Sequence, residues 1–227
     1  MLLYLLSFPA KLLLWILGWH PPQPLWEEIR TKHSKLMVVF THDTYADMVI
    51  AVIYQIAYPD HSRHMKILAM PQLFKFRVTS SILTYLGYIA STKREEKGGK
   101  GVPRIVQDLN QSDQYLFAVS PKGTVRDVPW STGYYHIAKQ AKLPIAVGGM
   151  DYNYHRPMLL QPLTVNVIDT MTEPEVQAAL KEKMKYITTT WCHRNVFIDF
   201  GTRLFPNLYA ILIVVTSLLT LYMMKFL

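Results

Sequence analysis

The sequence is short of cysteine: Cys192 is the only one in 227 residues. That excludes an intrachain disulfide and a thiolate metal cluster. A reducing compartment fits, and so does a membrane protein whose bulk faces the cytosol. His193 adjoins Cys192, but no third group marks the thiol as a nucleophile. Charge is scarce too, at 18% of residues against 50% hydrophobic. This is apolar for a soluble enzyme and too polar for a bundle of many membrane spans. Repeats, heptads and long low-complexity runs are missing, and the length suits one domain of about 100–200 residues plus a little extra.

Several motifs are also missing. Without G-x-S-x-G, a Ser-His-Asp hydrolase lacks its nucleophile signal. Without H-E-x-x-H there is no zinc helix, and without G-x-x-x-x-G-K-[ST] nucleotide binding has little support. His61 and His64 lack an obvious third ligand and read as surface residues, and His20, His33, His136, His155 and His193 carry no assignment.

What charge there is sits unevenly. The net charge is +8, and residues 61–104 hold nine Lys/Arg against two Glu. Such a field attracts phosphate, from anionic lipid or nucleic acid, or is simply a solvated basic face. Nucleic-acid binding lacks a recognised motif and leaves both chain ends unexplained.

Both ends are apolar. Residues 1–22 carry one charged side chain, Lys11, and lack the charged head and cleavage site of a signal peptide. Pro9 interrupts the run. A helix or hairpin lying in a membrane interface fits, with Trp15 and Trp19 at headgroup depth and the double proline at 21–22 ending it. Residues 204–224 have no charge over 21 positions, enough for a helix to cross about 30 Å of hydrocarbon. The expected organisation is a membrane-associated segment (1–22), a main folded domain (23–203) and a transmembrane helix (204–227). A buried core helix is the alternative for the last.

The middle reads as α/β, with a mostly parallel or mixed central sheet flanked by helices. Strands are expected at 35–41, 65–70, 88–91, 115–120, 144–149 and 164–169. Helices are expected at 44–58, 76–87, 99–111, 131–142 and 172–184, the last capped by Thr172 or Thr170. In such sheets chemistry gathers at strand ends and loops.

Two constellations fall there. His42 and Asp47, in H-x4-D spacing, sit where the first strand gives way to a helix. At five residues apart they need not share a helix face, but a turn after His42 would let an imidazole and a carboxylate meet, and such a pair makes a general base. Asp43 is a candidate helix cap. The second constellation is "VSPKGTVRDVPW" (119–130). Gly123 permits a tight turn or close ligand approach. Lys122, Thr124 and Arg126 supply donors, and the two cations suit phosphate. "REEKGGKG" (94–101) reads as a surface loop.

Together these blocks resemble the glycerolipid acyltransferases of the 1-acylglycerol-3-phosphate acyltransferase type. "HDTYAD" matches their histidine–aspartate hallmark. "GYIASTK" with Arg94, "PKGTVR" and "LPIAV" follow in the family's order, so the resemblance covers about residues 35–150. Lys122 stands where the family usually has glutamate. Val125 stands where it usually has arginine, with Arg126 one place later.

The resemblance implies a direct transfer. His42 would take the hydroxyl proton of a lysophospholipid as its oxygen attacks an acyl thioester, with Asp47 holding the imidazole. Lys93, Arg94, Lys122 and Arg126 would bind the acceptor phosphate, and Gly123 and Thr124 would shape the loop. The implied partners are membrane phospholipid and lysophospholipid, with acyl-CoA or acyl carrier protein as co-substrate; no cofactor, metal or nucleic acid is required. The enzyme would sit at a membrane with its catalytic domain facing the cytosol. A non-catalytic acyltransferase-like scaffold at the membrane surface is the alternative, and a lipid hydrolase follows if water replaces the acceptor.

Overall fold

A computed structural model gives the fold over residues 2–40, 45–59, 65–91, 101–123 and 128–187. The expected span at 204–224, His61, His64, Cys192 and His193 lie outside the described residues, as does most of the 94–101 loop.

The strands are β1 (Lys35–Phe40), β2 (Met65–Ala69), β3 (Tyr88–Ala90), β4 (Tyr115–Val119), β5 (Ile145–Asp151) and β6 (Arg156–Leu159). They form one sheet in the order β3-β2-β4-β1-β5-β6. All neighbours are parallel except the β5–β6 hairpin. The apolar run of β1 suits a central strand covered on both faces, and its four inner residues are buried.

Strand alternation sorts the core into two faces. Met37, Val39, Phe117 and Val147 face one way. They pack against α5 (Gly101–Asn110), α6 (Gly133–Ala141), α7 (Val165–Thr170) and α8 (Glu173–Met184). Leu36, Val38, Ala118 and Ala146 face the other way, against α2 (Pro24–Lys32), α3 (Tyr45–Ala57), a 3₁₀ turn (Pro71–Phe74) and α4 (Arg77–Tyr85). Each fully buried Leu, Val or Phe contributes about 1.5–3 kcal/mol. Thr172 is the cap of α8: Glu175 Oε2 accepts from its N–H and its hydroxyl, both at 2.7 Å.

The N-terminal segment is one helix, α1 (Leu2–Ile16), rather than a hairpin, and it continues through Pro9. Gly18, at φ 74°, ends it ahead of the double proline, with the Trp19 N–H bonded to the Leu14 carbonyl at 2.8 Å. Leu14 and Trp19 pack on Ile50, Tyr54 and Ala57 of α3. Trp19 is thus in the core and not at headgroup depth, whereas Trp15 is 75% exposed. Among the described residues no helix is long and apolar enough to cross a membrane.

The strand expected at 164–169 is instead α7. Its Val-x-Val alternation imitates a strand, but the edge of β5 is already taken. Leu163 exchanges two backbone hydrogen bonds with Ile145, at 3.0 and 2.8 Å, and β6 takes the rest of that edge. Ile168 turns into the core while Val167 stays 42% exposed.

Candidate active site

Because β1 to β5 are parallel, the segments that follow them leave from one end of the sheet. Val39 pairs with Val119, so the segments after β1 and β4 leave neighbouring strands. This is the crevice position where such folds place chemistry.

Asp47 falls in the first turn of α3 and is buried, at 9% exposure. The positive end of the helix dipole favours a carboxylate there. The Tyr152 hydroxyl donates to Asp47 Oδ1. Tyr152 lies just past β5, which runs on through Asp151 after Gly148 has paired with Phe40 at the end of β1. That overhang carries Tyr152 over the start of α3.

An aromatic cluster backs this contact. Trp19 meets Tyr152 edge-on at 5.4 Å between centroids and Tyr54 at 6.2 Å. The Tyr54 hydroxyl donates to the His20 carbonyl. Burial, with Tyr58 adding to it, pushes the Tyr54 phenol far above its ordinary value, so it stays a neutral donor.

After β4, Ser120 to Gly123 form a turn closed by the Gly123 N–H on the Ser120 carbonyl at 3.1 Å. Gly123 has φ 61°, a conformation glycine adopts without cost. Among the described residues no heavy atom lies within 4 Å of a Cβ placed there. The Ser120 hydroxyl beside it is buried without a hydrogen-bond partner among the described residues. Gly87, opening the "GYIASTK" block, has a different task. Its φ is 85°, and a Cβ there would stand 2.1 Å from the Met65 carbonyl oxygen.

Of the site residues expected from sequence, Asp47, Lys122 and Gly123 are described. His42, Lys93, Arg94, Thr124 and Arg126 lie outside the described residues, as does Asp43. Sequence reasoning missed Tyr152, since nothing in "GGMDYNYHRP" (148–157) ties it to a motif 105 positions earlier. Among the described residues no three His, Cys, Asp or Glu side chains converge as a metal-ligand set. A concavity of about 410 Å³ with Lys32, His33, Lys35 and Lys142 on its wall opens at the opposite end, where β1 and β5 begin. Two of its cations are already paired, Lys32 with Glu28 at 2.6 Å and Lys142 with Asp169 at 2.9 Å.

Comparison with curated proteins gives no match. The family model described as Acyltransferase matches residues 26–148, more than half of the chain. The match runs from α2 to Gly148 of β5. It takes in the H-x4-D motif, Asp47 on α3 and the Gly123 turn, and nearly coincides with the stretch 35–150 picked out by motif order. On that match the chain belongs to the acyltransferase family, of the glycerolipid 1-acylglycerol-3-phosphate acyltransferase type.

Proposed function

We propose that the protein moves a fatty acyl group from an acyl thioester, acyl-CoA, to the free hydroxyl of a lysophospholipid, 1-acylglycerol-3-phosphate first among candidates. The observation that carries this reading is Asp47: the second half of H-x4-D is a buried carboxylate at the carboxyl end of the central strand, inside the family-matched stretch.

In the proposed reaction His42 takes the acceptor's hydroxyl proton as the oxygen attacks the thioester carbonyl. The tetrahedral intermediate expels the thiolate, the C–S bond breaks, and the imidazolium returns the proton to the sulfur. Asp47 holds the imidazole and stabilises its protonated form. Lys93, Arg94, Lys122 and Arg126 neutralise the acceptor phosphate, with Gly123 and Thr124 shaping the loop. Thioester and hydroxyl are consumed, ester and thiol are formed, and no covalent enzyme intermediate is needed.

The location proposed is a membrane surface, with the domain on the cytosolic side. Acyl chains are in the bilayer and coenzyme A is in water, so the site belongs at the boundary. The outward face of α1 supports this, with Leu5 65%, Phe8 74% and Ile16 65% exposed. Residues 204–224 would add an anchor. The departures at Lys122 and Val125 favour a second reading, a scaffold that keeps the fold without the reaction.

The test is acyl transfer from acyl-CoA to a panel of lysophospholipids in mixed micelles. Transfer is expected, and His42→Ala should lower it by about 10²- to 10⁴-fold with the circular dichroism spectrum unchanged. Full activity in that variant overturns the mechanism, and no transfer to any acceptor favours the scaffold.

A further inference from the structure

We infer that Tyr152 is a positioning residue for this reaction, its hydroxyl holding the Asp47 carboxylate in one fixed orientation. The inference rests on the function proposed above and adds a residue beyond the family-matched stretch, which ends at Gly148.

A carboxylate accepts at about four lone-pair sites on two oxygens. The Tyr152 hydroxyl takes one on Oδ1, which fixes the side-chain rotamer of Asp47. A neutral donor does this without cancelling the negative charge that an imidazolium needs. A cation in the same place would cancel it.

The rest of the hairpin holds Tyr152 rigidly. Its ring is 5% exposed and lies against the edge of Trp19. Asp151, 1% exposed, accepts at Oδ1 from the N–H groups of Asn153 and Tyr154, each at 2.9 Å, which closes the turn. His155 completes the turn at φ 46°, and its carbonyl accepts from the His20 N–H at 2.7 Å. The phenol is thus fixed from its own turn and from the segment after α1. Such support is what keeps a reacting pair in register, where a misplacement of about 1 Å can cost 10²-fold.

The experiment compares the wild type with Tyr152→Phe, Asp47→Ala and His42→Ala in the micelle assay. Initial rates are measured against both substrates and across pH, with a thermal melt of each protein. Phenylalanine keeps the ring and removes only the donor. Expected for Y152F is a kcat lower by about tenfold, with both KM values held and the melting midpoint lowered, because the buried Asp47 carboxylate loses a donor. The acidic limb of kcat/KM should move to lower pH, because a loosened carboxylate stabilises the imidazolium less. The inference is overturned by a wild-type kcat and pH profile, or by a kcat loss that follows a lowered midpoint with the limb unmoved. A limb displaced to higher pH also overturns it, since the hydroxyl would then be damping charge rather than positioning it. Near-zero rates for D47A and H42A beside an unaffected Y152F reject this inference alone. Full rates for D47A or H42A, or no transfer by the wild type, reject the proposed function and this inference with it.

Discussion

At Tyr134 the core carries a buried hydroxyl with no hydrogen-bond partner among the described residues. The side chain is 1% exposed and its ring meets Trp130 edge-on at 5.8 Å. Burial first, then the charges of Glu173 and Tyr135, push the phenol far above its ordinary value. An unsatisfied buried polar group costs about 1–3 kcal/mol. Tyr134→Phe should therefore stabilise the protein by about 1 kcal/mol and raise the melting midpoint by about 2–4 °C, and a lowered midpoint in a thermal melt would refute this. Tyr152 is the same residue type with the opposite circumstance: its hydroxyl has a carboxylate to bond. The matching substitution there is expected to lower both the rate and the stability, because it takes a donor from a buried carboxylate. Neither outcome was legible in the sequence. A tyrosine letter does not tell whether its oxygen ends on an acceptor, and the Tyr152 contact spans 105 positions.

Among the elements, the joint between α4 and β3 depends on Gly87. Its N–H donates to the Thr84 carbonyl at 3.0 Å and its own carbonyl accepts from Ile67 at 3.0 Å, so one residue ends a helix and starts a strand pair. A methyl there needs a left-handed conformation and meets the Met65 backbone oxygen at 2.1 Å. Gly87→Ala is expected to cost at least about 2 kcal/mol, read as a lowered denaturant midpoint; an unchanged midpoint would contradict the geometry. The parallel strands were readable because runs such as "LMVVF" (36–40) and "YLFAV" are apolar at every position and bounded by polar residues. What escaped was β6, where Arg156 and Pro157 disguise a four-residue edge strand, and α7, whose valines imitate one. Both were decided by which edge of β5 stood open. That is a tertiary matter, and it overrides local propensity.

For the whole molecule, the layers sort polarity by location. The sheet is covered on both faces, and α1 adds a further layer over α3 with one side buried and the other apolar and outward. That an apolar segment precedes the catalytic domain was plain from composition. That it clamps the element carrying Asp47 was not, since Trp19 is equally suited to a bilayer boundary and to a core. If α1 lies in lipid, a polarity-sensitive dye on Phe8→Cys in a Cys192→Ser background should shift to the blue on anionic vesicles. The same dye at Lys183, on α8 beyond the opposite face of the sheet, should not shift. Equal spectra at both sites would place α1 elsewhere.

The strand order also bears on synthesis. The central strand β1 takes its two hydrogen-bonding partners from β4 and β5, which begin at Tyr115 and Ile145, 75 and 105 positions after Phe40. At roughly 5–20 residues per second a ribosome needs roughly 4–15 s to supply the first of them. Throughout that interval the nascent chain presents "KLMVVF" with both edges open. Slow translation through the first half would therefore raise the demand for chaperones, however stable the finished protein is.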